Sequence, residues 1–128
     1  MRNLGLFLPV PVASGQLSHL GHSLGGQPAG LTLQFGKSPE GVYLDLSTDL
    51  ANGCFDAEEF EMLRTQLGFP PAAYVSIHMD STASAFDRAL KIARSIQAQW
   101  GGTIDYSGAG GSVENPFQPL GVDRSTSS

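Results

Sequence analysis

The chain has 128 residues, 41% of them hydrophobic, which is the size and composition of one globular domain with a single core. Twelve acidic against seven basic side chains give a formal charge of -5 and a pI near 4.9, a field that repels phosphate backbones and anionic membranes, so no nucleic-acid or membrane partner is expected. The same charge suits a basic protein partner or serves solubility alone, and the lone Cys54 forms no internal disulfide, which makes the cytoplasm the expected compartment.

Arg2 followed by Leu4-Gly5-Leu6-Phe7-Leu8 and the small residues Ala13-Ser14-Gly15 has the outline of a signal peptide. The apolar stretch is short, ends at Pro9 and Pro11 and carries one positive charge, so a first strand is expected, either apolar on both sides or packed at one edge. No run approaches the ~18 apolar residues of a membrane span. Residues 13–30 are rich in Gly, Ser, His and Gln, with Leu17, Leu20 and Leu24 near helical spacing, and fit a short irregular helix or a long loop equally. Leu31, Leu33 and Phe35 alternate, Lys37-Ser38-Pro39-Glu40-Gly41 turns, and Val42, Leu44 and Leu46 alternate again, which predicts a hairpin with Tyr43 and Asp45 on its other face.

Asp56 with Glu59 three residues on is a capping box, and Phe55 with Phe60 occupies the positions of a hydrophobic staple. A helix is expected to start there and to end at Gly68, before Pro70-Pro71. Ala73, Val75, Ile77 and Met79 alternate with Tyr74, Ser76 and His78, a half-buried strand. Asp80, Ser81 or Thr82 then caps a second helix, whose stripe is Phe86, Ala89, Leu90, Ala93, Ile96 and Trp100. Arg88, Lys91 and Arg94 lie off that stripe as a solvated face, with Asp87 and Lys91 spaced as an ion pair. Gly101-Gly102 ends the helix and Thr103–Tyr106 makes a last short strand. The expectation is a single α+β domain over residues 1–106, with about five mostly antiparallel strands in the order β-β-β-α-β-α-β and two helices on one sheet face. Residues 107–128, dominated by Gly, Ser, Pro and Asn, are expected to form a partly docked or disordered tail.

No stretch carries the full motif of a known reaction. Gly21-His22-Ser23-Leu24-Gly25 matches the G-x-S-x-G nucleophile elbow, but an elbow needs a strand running into it and a helix after it, and the flanks here are Gly15–Leu20 and Pro28. A hydrolase built on Ser23 would have only His78 as its later base. His19 and His22 lack neighbouring Cys, Asp or Glu to complete a metal site, and Gly108–Ser112 is followed by Asn115-Pro116 rather than by the helix a phosphate loop requires. No metal, no cofactor and no catalysis are therefore expected. The acids Asp56, Glu58, Glu59 and Glu61 serve capping and the helix dipole as well as any docking role.

Leu67-Gly68-Phe69-Pro70, a strand, and a helix closing on Trp100-Gly101-Gly102-Thr103-Ile104-Asp105-Tyr106-Ser107-Gly108 resemble small bacterial immunity proteins encoded beside polymorphic toxins. The likeness covers residues 67–108 and its motif is structural: glycines that end a helix, a core Ile104, and Asp105 opening a turn. The resemblance implies a protein that binds one cognate toxin and blocks its active site or substrate access without catalysis, and the acidic charge of the chain suits a toxin with a basic active-site surface. Candidate contacts are Tyr43, Asp45, Asp49, Glu58, Glu61 and Tyr106, polar or aromatic residues off the expected core stripes. A non-catalytic adaptor and a small hydrolase using Gly21–Gly25 are the alternatives.

Overall fold

The structure is a computed structural model, described here over residues 2–50 and 56–106. One sheet of six strands organises these residues, in the order β2-β3-β4-β5-β1-β6, with every neighbouring pair antiparallel. In chain order the elements are β1 (Arg2–Leu8), α1 (Ser14–Ser23), β2 (Gln27–Ala29), β3 (Thr32–Phe35), β4 (Val42–Asp45), α2 (Ala57–Leu67), β5 (Ala73–Met79), α3 (Ala83–Trp100) and β6 (Thr103–Asp105). The fold is α+β as expected, with two additions. Residues 14–23 are helical, and Gln27–Ala29 adds a sixth strand, too short and too polar to register as alternation.

β1 is no edge strand. It lies between β5 and β6, pairing with β5 along its whole length from Arg2↔Met79 to Leu8↔Ala73. β5 and β6 are each antiparallel to β1 and hence parallel to one another, so α3 is a crossover that carries the chain past β1. Leu4, Leu6 and Leu8 point to the helical side, where Leu33, Val42, Leu44, Val75, Ile77 and Met79 join them in the core. α3 closes this side with Ala85, Ala89, Ile92, Ala93 and Ile96, and its small residues let the helix approach the sheet closely. Each fully buried Leu or Ile contributes about 1.5–3 kcal/mol of transfer free energy.

The second helix on this side is α1, not α2. Leu17 is buried in the core, and Gly21 meets the sheet so closely that a Cβ there would stand 2.3 Å from Leu33 Cδ1. Gly26 is similarly pressed, since a Cβ there would stand 2.7 Å from Phe35 Cζ, and Gly25 has a φ of 99°. The glycines of the G-x-S-x-G pattern are thus accounted for by helix–sheet packing and by the turn that ends α1. α2 forms with the expected signals: Asp56 Oδ1 accepts from the Glu59 N–H at 2.8 Å, Glu59 Oε1 accepts from the Asp56 N–H at 3.3 Å, and Gly68 ends it with a φ of 80°. It buries no residue, however, and Phe60, Leu63 and Leu67 are only half-buried. Phe55, Cys54 and the tail expectations for 107–128 lie outside the described residues.

Thr82 proves to be the α3 N-cap, accepting from the Ala85 N–H at 3.1 Å, while Asp80 accepts from the Gly41 N–H at 2.8 Å and so fastens β4 to β5. Trp100-Gly101-Gly102 is a helix stop, and Gly102, with a φ of 104°, leads straight into β6. Asp105 is the last residue of that strand rather than the start of a turn. Among the described residues no helix is long and apolar enough to cross a membrane.

Candidate functional site

The sheet face opposite α1 and α3 has a different chemistry. Strand alternation sends Gln34 from β3, Tyr43 from β4, His78 from β5 and Asn3 from β1 to this side, and the register sets them in one row: Gln34↔Tyr43, Tyr43↔His78, His78↔Asn3. Four strands at the usual spacing make that row about 14 Å long. All four side chains are half-buried, in contact with neighbours but reachable from solvent. Below it on the same face lie Thr32 opposite Asp45, and Ser76, Gly5 and Asp105 in register across β5, β1 and β6.

One end of the face is apolar. Phe7 is 1% exposed and packs on Tyr74 with ring centroids 5.0 Å apart at 45°. Tyr74 leans across Gly5, where a Cβ would stand 2.7 Å from the phenolic oxygen, so the glycine makes room for the ring. Burial, with the nearby Asp105 carboxylate adding to it, pushes the Tyr74 phenol above its ordinary 10.0, and the group is neutral at physiological pH.

The residues singled out from the sequence fall in four places. Tyr43 and Asp45 sit together on this face, where Asp45 Oδ1 accepts from the Ser47 N–H at 3.0 Å and fixes the exit of β4. The Tyr43 ring lies along β4 over Gly41, and its hydroxyl has no hydrogen-bond partner among the described residues. Asp49 is exposed in the segment after β4. Glu58 and Glu61 are exposed on α2, where Glu61 lies 3.8 Å from Arg64, an exposed pair that contributes little. Tyr106 is the exception: it is 5% exposed and belongs to the core, so the premise that it lay off the core does not hold. Burial raises its phenol above 10.0, and the neighbouring Arg94 offsets part of that rise.

His78, Asn3 and Gln34 join this face without having been picked out as contacts. Alternation within each strand was the available signal, since His78 shares parity with Tyr74 and Ser76. What alternation lacks is the cross-strand register that sets His78 between Tyr43 and Asn3.

Ser23 and His78 lie on opposite sides of the sheet. Ser23 is at the exposed end of α1, its hydroxyl donating to the Leu20 carbonyl at 2.6 Å, beside a groove of about 630 Å³ lined also by His19, Gln99 and Trp100. Ser76 Oγ and His78 Nε2 do stand at hydrogen-bond distance, 3.3 Å. They sit on β5, where His78 pairs with Tyr43 on one side and Asn3 on the other, and Ser76 pairs with Gly5. What this face offers is a row of aromatic and hydrogen-bonding groups on a rigid sheet, suited to recognition. No family model matches the chain, and no curated protein and no solved structure matches it.

Proposed function

We propose that the protein is a non-catalytic inhibitor that binds one cognate toxin domain and covers its active site or substrate path, as an immunity protein does. The observation that supports this most is the sheet face itself, with Tyr43 and His78 at its centre, Asp45 beside them, and a fully packed core behind. Binding energy in protein interfaces concentrates in a few aromatic and charged anchors held rigidly, and a central sheet strand supplies that rigidity. The partner is expected to be basic where it docks, because the chain carries a net charge of -5 and opposite fields speed encounter and penalise wrong partners.

The test is co-expression of this chain with the toxin domain encoded beside its gene, followed by purification on a tag carried by one partner. A stoichiometric complex and survival of the host cells are expected. If no complex forms and the cells die as fast as without this chain, the reading is wrong.

A further inference from the structure

The helical side of the molecule carries a second feature. α3 lays Arg88, Lys91 and Ser95 along one of its edges, at a spacing that keeps them on one side of the helix. With Leu24 at the end of α1, Phe35 at the end of β3, and Ile92, they line a groove of about 370 Å³, within the size range of small-molecule sites.

Arg88 is not a solvated charge. Its Nη1 donates to the Phe35 carbonyl at 3.2 Å and to the Glu40 carbonyl at 3.1 Å, which clamps the β3–β4 hairpin to α3. Gly36 makes this reach possible: its φ is 76°, and a Cβ there would stand 1.8 Å from Nη1. The guanidinium is therefore held in one orientation, while its Nε and Nη2 have no protein partner among the described residues. Lys91 is exposed, and among the described residues it has no ion pair, Asp87 four residues before it included. The C-terminal end of α1 adds little opposing field, because the Leu20, Gly21 and His22 carbonyls already accept from the N–H groups of Leu24, Gly26 and Gly25.

We propose that this groove binds small organic carboxylates, with the carboxylate on the unpaired edge of the Arg88 guanidinium and an alkyl or aryl group against Phe35, Ile92 and Leu24. A planar fork fixed in advance matches a carboxylate and loses little entropy on engaging it, and Lys91 supplies a second positive charge. The groove lies on the opposite side of the sheet from the face assigned to toxin binding, and neither reading depends on the other.

The experiment titrates the full chain with 3-phenylpropionate, followed by backbone amide shifts, and repeats it with uncharged 3-phenylpropionamide and with inorganic phosphate. Saturable shifts confined to the groove around Phe35, Gly36, Lys91 and Ile92 are expected, with a Kd on the order of 1 mM and at least about tenfold weaker binding of the amide and of phosphate. Arg88 also holds the hairpin, so the informative variant is Lys91→Glu at the exposed lysine, which is expected to weaken carboxylate binding about tenfold with an unchanged amide spectrum elsewhere. Absence of saturation by about 20 mM, equal binding of the amide or of phosphate, or undiminished binding by Lys91→Glu would each overturn the proposal.

Discussion

A side chain added where a glycine stands is tolerated only if the space and the backbone angle both allow it, and Gly102 fails on both counts. Its φ is 104°, and a Cβ would stand 2.3 Å from the Phe7 carbonyl oxygen, a backbone atom that does not move aside. Gly102→Ala is expected to cost about 2–4 kcal/mol, read as a lower midpoint in denaturant titration with an unchanged slope. Tyr74 and Tyr106 give the second expectation at this scale. Both phenols are raised in the folded state from 10.0, so the unfolded chain ionises first as pH rises. Their contribution is fully present below pH 10 and is lost as pH climbs from there through the raised folded values. Denaturation midpoints measured on both sides of pH 10 should fall on the alkaline side, and less steeply in Tyr74→Phe and Tyr106→Phe. The glycine stop after Trp100 was legible in the sequence because chain chemistry alone ends a helix there. The burial of Tyr106 was not, because a residue just past a short strand has no periodicity to place it.

At the scale of elements, local signals and tertiary packing part company at α2. Its capping box, its left-handed Gly68 and its following prolines could all be read from the sequence, because each is satisfied within a few residues. Nothing local told that it would bury no side chain, or that the less regular α1 would take its place over the core through Leu17 and Gly21. Loss of the cap should consequently act locally. Asp56→Ala is expected to weaken α2 by about 1 kcal/mol, seen as roughly fivefold faster amide exchange within the helix and no change in the global unfolding midpoint. Arg88 shows the converse, a residue read as a solvated charge that instead ties two elements together. Arg88→Ala should cost about 2 kcal/mol, with the exchange of β3–β4 amides rising most, whereas Lys91→Ala should leave stability unchanged; equal effects of the two would remove the clamp.

Across the whole molecule the two sides of the sheet are divided by chemistry. Alternation in β1, β4 and β5 sends aliphatic residues to one side, under α1 and α3, and Asn3, Tyr43, Ser76 and His78 to the other. The α+β class followed from alternation and helix signals. The strand order did not, because pairing of β1 with β5 joins residues more than sixty positions apart, and only packing of the complete chain selects it. The face carrying Tyr43 could be half seen in advance, with its own strand legible and its neighbours not. The most direct measurement is the affinity of the purified chain for its proposed partner, a toxin domain encoded beside its gene, taken for the native protein and for the double variant Tyr43→Ala, Asp45→Lys. A tight one-to-one complex, weakened at least about a hundredfold by the variant while its unfolding free energy stays within about 1 kcal/mol of native, is the predicted result. A complex of undiminished affinity in the variant, or no complex with the native chain, would contradict the assignment of this face.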